Sequence, residues 1–440
     1  MFVVEGFKVL SEKLLFIPFL ALLGGSIILS FRTRFIQFRM LPLMMRLLYR
    51  SIFKQKKIEE GKQTIQADKA LFTAMSCTIG IGNIVSPIIA IGLGGPGALL
   101  GFVLATIFGS AATFTEVTFA VKYREKRKDG TIIGGPMTYL KRISPFLSQL
   151  YVISAFILLI IWETNQSNTL AVLLMPYNIP PYISGFVVAV LVLAVLVGGV
   201  KRVGNVSEKI VPIMFFLYCF AMFWIIGVNI GNLPSVISLI FRSALQPQAL
   251  GGAAVGVGIQ KAMHWGLAKG FFSNEAGVGV ATIPHSMAEV EDPLKQGVLA
   301  MVSVYSNGIL CLLSGLAILV TGIWQTPGMP FDINMIAVAI ATYFPSVGPL
   351  LLVVSAILFA FSTILGNGFN GGECFLFVTK NRWAWLYYAM IALVVFLGSV
   401  ANVTLIWTVT DFFMILVAVP HIVAIVILAF RKEGKVLDVG

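Results

Sequence analysis

The sequence predicts an all-α polytopic membrane protein: about eleven transmembrane helices, one at the N-terminus followed by a 5+5 inverted repeat with broken first helices. Three observations predict it. Of 440 residues, 58% are hydrophobic and 11% are charged, whereas a soluble domain carries about 25% charged residues. Mean hydropathy is +0.93, more apolar surface than one soluble core absorbs, while a bilayer serves as solvent for it. The charge that remains is clustered between apolar stretches, as the positive-inside rule requires of cytoplasmic loops.

Taken in chain order, apolar stretches at 14–31, 69–93, 98–121, 149–174, 182–200, 210–230, 251–283, 295–324, 347–378, 384–400 and 404–430 are each near or above the roughly 20 residues that a helix needs to cross the hydrocarbon. The first is followed, not preceded, by a basic run (Arg32, Arg34, Arg39, Arg46, Arg50, Lys54, Lys56, Lys57), which favours a retained helix with its N-terminus outside over a signal peptide. Further basic clusters stand at Lys122–Lys128, Lys201–Arg202, Lys380–Arg382 and Arg431–Lys435. An odd number of spans puts all of these, with the C-terminus, on the cytoplasmic side. Residues 35–53 and 234–245 read as interfacial amphipathic segments, and Glu289, Glu291 and Asp292 as a solvated loop. The net charge of +12 is therefore a topology signal and not a nucleic-acid surface. The location expected is a bacterial inner membrane.

With the first span set aside, residues 1–68 lead into two five-helix halves, 69–230 and 251–430, followed by a tail at 431–440. The halves start on opposite sides of the membrane. Inverted repeats with discontinuous first helices are a recurring transporter plan, with the site near the bilayer midplane. Span 2 contains Thr78-Ile-Gly-Ile-Gly-Asn83 and then Pro87; span 7 contains Gly251, Gly252, Gly256, Gly258, Gly266 and Gly270. Unwinding frees backbone groups that lipid does not tolerate. A half-helix N-terminus then suits a carboxylate, and freed carbonyls suit a hard cation. The same glycines also suit close helix packing.

Cys77, Cys219, Cys311 and Cys374 lie in apolar stretches without metal-ligand spacing and read as buried thiols. Glu116, Glu163, Glu275, Glu373 and Asp411 are intramembrane carboxylates, functional candidates by the cost of burying their charge. Glu275 suits backbone capping or pairing with Lys261 or Lys269, and Glu163 suits a place near the pocket. His264 and His285 flank the second predicted break. There is no HExxH, no P-loop and no facing nucleophile–base pair, which argues against an enzyme or an ATP-driven pump, and no filter signature of a channel.

Several stretches together resemble one family. They are Ser76-Cys-Thr-Ile-Gly-Ile-Gly-Asn83, Leu93-Gly-Gly-Pro-Gly97, Ala120-Val-Lys-Tyr-Arg124, Gly134-Gly-Pro-Met137 and Gly270-Phe-Phe-Ser-Asn-Glu-Ala-Gly277. In order, over roughly residues 15–430, they resemble the alanine/glycine:cation symporters, also called sodium:alanine or D-alanine/glycine permeases.

The resemblance implies a leucine-transporter-like core and sodium-coupled symport of a small neutral amino acid by alternating access. It implies no cofactor beyond the coupling Na⁺ and no obligatory protein partner. Carried over by residue, it assigns the substrate to Gly80, Ile81, Gly82, Asn83 and Gln166, with Gly256 and Gly258 as the facing break. It assigns Na⁺ to the carbonyls of Ser76 and Ile79 and the hydroxyls of Ser362 and Thr363. Three positions depart from the family pattern. Ile81 stands for a usual Thr, Asn367 in the pocket wall for a Trp, and Asn307 for an Asp. Asn367 points to a larger or more polar substrate, and Asn307 to altered cation coupling, with protons or exchange as the alternative drive.

Overall fold

The computed structural model describes residues 16–53, 64–126, 131–245, 255–401 and 403–438. Lys54, Lys56, Lys57, Arg127, Lys128, Gly251 and Gly252 lie outside them. Helix α1 (Phe16–Arg32) is followed by the amphipathic α2 (Leu41–Phe53). The first half comprises α3 (Ala67–Thr78), α4 (Gly82–Gly94), α5 (Ala98–Lys122), α6 (Pro145–Leu174), α7 (Pro181–Leu196) and α8 (Gly199–Val228). After α9 (Leu233–Leu245), the second half comprises α10 (Val255–Asn274), α11 (Thr282–Ser286), α12 (Pro293–Thr321), α14 (Gly348–Val378), α15 (Ala384–Val400) and α16 (Val403–Phe430). Helix α13 (Ile333–Tyr343) lies between α12 and α14.

By length and composition, six helices of the described residues can cross a membrane, and α3 with α4, bent by 40° at their junction, makes a seventh. Helices α1, α7 and α15 are shorter apolar helices. Lipid-facing stripes follow helical spacing. On α8, Ile213, Phe216, Phe220, Phe223 and Trp224 are all exposed, at the i, i+3, i+4 and i+7 positions of one face. All four cysteines are buried and free.

Equivalent helices of the two halves pack on one another. Helix α4 packs against α10, α5 against α12, α6 against α14 and α7 against α15. The cross-pairs match too: α5 meets α10 as α12 meets α4, and α6 meets α16 as α14 meets α8. This is the contact pattern of two similar five-helix units related by a pseudo-twofold axis, and it brings the two broken helices side by side at the centre.

Two expectations change. The pair Lys201 and Arg202 belongs to the first turn of α8 and not to a loop, because the chain reverses at Gly198–Gly199. Gly199 takes a φ of +65°, open to glycine without strain, and Arg202 returns to donate to the Ala194 carbonyl at 2.7 Å. The break of the second half is not at Gly256 and Gly258, which lie in the first turn of an uninterrupted α10. It lies at 275–281, between α10 and α11. Gly266 and Gly270 are packing glycines: a Cβ on either would run into the Ala98 backbone or into Phe102 and Ala105 of α5.

Candidate functional site

The first break begins with lost helical bonds. In an α-helix the carbonyls of Ser76, Thr78 and Ile79 accept from the N–H groups four residues on. The Gly80 N–H donates instead to Asn83 Oδ1 at 2.9 Å, and the Ile81 N–H points to Gln166 Oε1 on α6 at 3.3 Å. The Asn83 N–H turns to the Gly80 carbonyl at 3.0 Å. The Ser76 and Ile79 carbonyls are thus released from the ladder. Thr363 of α14 donates its hydroxyl to the Ile79 carbonyl at 3.1 Å. Gly80 leaves room for this contact: a Cβ there would stand 2.5 Å from Thr363 Oγ1 and 3.2 Å from Gln166 Nε2.

The donor set near this point is hard oxygen, carbonyl and hydroxyl, which suits Na⁺ and not a soft metal. Ile79 and Thr363 are in contact, and Ser76 is close to Ser207 Oγ at 3.4 Å. Ser362 is turned aside, donating to the Phe359 carbonyl at 3.1 Å with Met214 Sδ at 3.2 Å. Ser76, Ser362 and Thr363 are all buried, whereas Gly82 and Gln166 are half-buried. The oxygen cluster is therefore sealed while the Gly82–Gln166 face remains reachable. Asn83, assigned to substrate through its side chain, here closes the turn through Oδ1. Asn367 lies one helical turn beyond Thr363 on α14, buried, with an Oδ1 that has no hydrogen-bond partner. Glu163 faces Gly368 of α14, with Oε1 3.2 Å from where a Cβ would stand, and not the break.

The second break is built differently. Glu275, Gly277 and Gly279 take positive φ (+53°, +79° and +94°), which no right-handed helix continues. Asn274 caps the turn, accepting from the Ala276 N–H at 3.0 Å and donating to the Ala105 carbonyl at 3.2 Å. The carbonyls of the loop are taken up by distant side chains. Tyr151 donates to the Val278 carbonyl at 2.8 Å, and His421 Nδ1 lies 2.6 Å from the Gly277 carbonyl. Tyr139 reaches His421 Nε2 at 2.5 Å, so the imidazole ties the Gly277 carbonyl to the Tyr139 hydroxyl. Glu116, fully buried, stands 3.9 Å from the same ring, beside Thr113 and the backbone of Gly277 and Gly279. Glu275 Oε2 has no hydrogen-bond partner. His285 does not face the break chemistry but pairs with Gln296 at 2.7 Å.

One end of the bundle closes over both breaks. Ile65, just before α3, exchanges hydrogen bonds with Met287 and Glu289, just after α11 (3.1 and 2.8 Å). Arg124 donates to the carbonyls of Ser286, Ala288 and Val290 at 3.1, 2.5 and 3.2 Å. The Gly134-Gly135 pair packs against the same turn, where a Cβ on Gly134 would meet Ser286 and one on Gly135 would meet Ile283. The Tyr-Arg and Gly-Gly-Pro-Met motifs thus meet the end of α11. His421 and Tyr151 are the site residues that sequence reading did not single out, while Arg124 and Ser273 stood inside quoted motifs without a role; a lone histidine after Pro420 in the last span was the available signal.

Comparison with known proteins places this geometry. The sodium:alanine symporter family profile matches residues 2–436. An uncharacterized transporter of Haemophilus influenzae is 35% identical, over 93% of this chain and 90% of its own. The sodium/alanine symporter AgcS of Methanococcus maripaludis is 32% identical over the same shares. The probable sodium/glutamine symporter GlnT of Bacillus subtilis is 30% identical, covering 93% of this chain and 84% of its own. Among solved structures, a Na⁺-coupled sialic acid symporter superposes with a TM-score of 0.57 at 12% identity, over 97% of this chain and 94% of that one. MhsT in complex with L-phenylalanine superposes with 0.59 at 14%, over 86% and 96%. At those identities the structural likeness establishes the fold. With its profile running nearly end to end and relatives above 30% identity over nine-tenths of its length, the chain belongs to the sodium:alanine symporter family.

Proposed function

We propose that this chain is a Na⁺-driven symporter of a small neutral amino acid, within the cation-coupled amino-acid symport that its family and fold support. The observation that carries the reading is the contact of Thr363 Oγ1 with the Ile79 carbonyl. There a released carbonyl and a hydroxyl from another helix meet beside the Gly80–Gln166 cradle. Na⁺ would join the Ser76 and Ile79 carbonyls to the hydroxyls of Thr363 and, after a rotamer change, Ser362. That ordering of the first break favours the cradle at Gly80, Ile81 and Gly82, where the substrate carboxylate would displace Gln166 Oε1 from the Ile81 N–H. Coupling of this kind is reciprocal and of the order of 1–3 kcal/mol. Alternating access then moves one bundle against the other, with the Arg124 end of the molecule, on the cytoplasmic side in the proposed topology, opening to release both.

A second reading concerns the substrate. Asn367 offers a buried, unpartnered amide oxygen one turn from Thr363, and a relative at 30% identity is named a probable glutamine symporter. Both favour a polar neutral side chain over alanine or glycine. Uptake of radiolabelled glycine, L-alanine, D-alanine and L-glutamine into proteoliposomes, with and without an inward Na⁺ gradient, tests both readings. Accumulation that needs Na⁺ supports the symport. Uptake indifferent to Na⁺ but driven by a proton gradient or an internal solute would move the coupling to protons or exchange.

A further inference from the structure

Helix α2 carries two different apolar faces. At about 100° per residue, Leu41, Met45, Tyr49, Ile52 and Phe53 fall on one arc, and all five are exposed. On the opposite arc Met44 is buried, and Leu43, Leu47 and Leu48 pack on the core. That inner face rests on α12 and α3, and just before α2 the Tyr305 hydroxyl of α12 donates to the Gln37 carbonyl at 2.9 Å. A helix fixed by one face and bare and apolar on the other suits the boundary between lipid and water. Arg46 and Arg50 lie where the two faces meet, both on the same edge and both exposed. They stand one turn apart, with Cβ atoms about 5–6 Å from each other, a spacing at which like charges repel. Neither has an acidic partner among the described residues, and from residue 13 to 58 the chain contains no Asp or Glu.

We propose that Arg46 and Arg50 form a binding site for the headgroup phosphate of an anionic phospholipid, whose acyl chains lie along the exposed arc of α2. Two guanidinium groups one turn apart match the separate oxygens of one phosphodiester, which accepts from each and removes their repulsion. The bare arc beside them supplies the apolar contact that a free phosphate would leave unused. In the proposed topology this basic stretch is on the cytoplasmic side, where anionic lipids concentrate. Because the inner face of α2 braces α12 and α3, the inner part of the first broken helix, a lipid held at this edge stabilises the same end of the bundle. The site is independent of the symport reading and of the solute that the chain carries.

The test is thermal unfolding of the purified full chain in an uncharged detergent, with dioctanoyl phosphatidylglycerol, dioctanoyl phosphatidylcholine or inorganic phosphate added at equal concentration. Phosphatidylglycerol should raise the midpoint by a few degrees, and the other two should leave it nearly unchanged. The rise should disappear in Arg46→Gln/Arg50→Gln and survive in part in Arg46→Lys/Arg50→Lys. It should persist in full in Lys380→Gln/Arg382→Gln, which removes two exposed bases of another cluster. A full rise in Arg46→Gln/Arg50→Gln overturns the proposal, as does an equal rise with phosphatidylcholine. An equal rise with inorganic phosphate overturns the lipid assignment in favour of a free-anion site. If Arg46→Gln/Arg50→Gln is not monodisperse, the wild type decides. At about 1 M NaCl, where the Debye length is about 3 Å, the phosphatidylglycerol rise should vanish, and a rise indifferent to salt overturns the phosphate contact.

Discussion

Thr363 donates its hydroxyl to the carbonyl of Ile79 at 3.1 Å, a bond between a continuous helix of the second half and the interrupted first helix of the first. It exists because the Asn83 N–H, the helical partner of that carbonyl, has turned back to Gly80. Removing the hydroxyl should act on the cation before it acts on substrate choice. Thr363→Ala is expected to raise the Na⁺ concentration for half-maximal uptake by about tenfold, roughly 1.4 kcal/mol. Thr363→Ser should stay near wild type, and the ranking of substrates should hold in both. Equal Na⁺ dependence in wild type and Thr363→Ala would remove Thr363 from the cation site.

Gly80 is needed for its missing side chain. A Cβ there would stand 2.5 Å from Thr363 Oγ1 and 3.2 Å from Gln166 Nε2, closer than packed atoms tolerate, so the hydroxyl or the break must shift. Gly80→Ala should cut uptake by more than tenfold while leaving expression and size-exclusion behaviour intact. The cost falls on the cradle and not on the distant packing, where a few kcal/mol of overpacking strain is common. Normal transport by Gly80→Ala would show that the cradle is not built around this residue.

Arg124 holds three carbonyls, one at the end of α11 and two just beyond it, and hydrogen bonds to a charged group are worth about 1.5–3 kcal/mol each. Arg124→Ala should therefore lower the melting temperature in detergent and expose a cysteine introduced at Ser286 to thiol reagents. Lysine, with one compact head, cannot span three acceptors, so Arg124→Lys should rescue little. Burial lowers the pKa of the guanidinium and Glu289 opposes the shift. An arginine so placed remains protonated at working pH, so the effect should be the same at pH 6 and pH 8. With the cysteine at 286 in both backgrounds, an Arg124→Ala difference in labelling that vanishes at one of these pH values would contradict a permanently charged latch.

His421 bridges the Gly277 carbonyl and the Tyr139 hydroxyl. His421→Ala strands both, and two buried unpaired groups cost about 1–3 kcal/mol each. His421→Gln offers one donor and one acceptor and should recover part of the loss. Thermal unfolding in detergent measures it; a wild-type midpoint for His421→Ala would mean that the loop at 275–281 is held by other contacts.

Asn367→Trp fills the space beside Thr363 with an aromatic wall. Competition for uptake should then shift toward glycine and away from polar substrates by at least tenfold. An unchanged ranking would take Asn367 out of the pocket.

The two breaks differ in how readable they were. The first is encoded locally: Gly80, Gly82 and an Asn83 that reaches back three residues make a turn within six positions of chain. The second was placed at the wrong glycines. Gly256, Gly258, Gly266 and Gly270 look as hinge-like as any in sequence, yet α10 runs straight through them. What separates a hinge glycine from a packing glycine is whether another backbone lies against it, as α5 lies against Gly266 and Gly270, and that is tertiary information. The actual break turns first at Glu275, a non-glycine residue at φ +53°, for which sequence gives no warning.

Membership in the membrane class, the order of the helices and the place of the first break followed from sequence alone, because they rest on hydropathy, helical length and local turn chemistry. The partners of the freed carbonyls did not. Thr363 lies 284 residues from Ile79, Asn307 229 from Thr78 and His421 144 from Gly277. Only packing of the two halves brings a donor to each, and because a buried carbonyl demands a donor without specifying which helix supplies it, the tertiary structure decided the site.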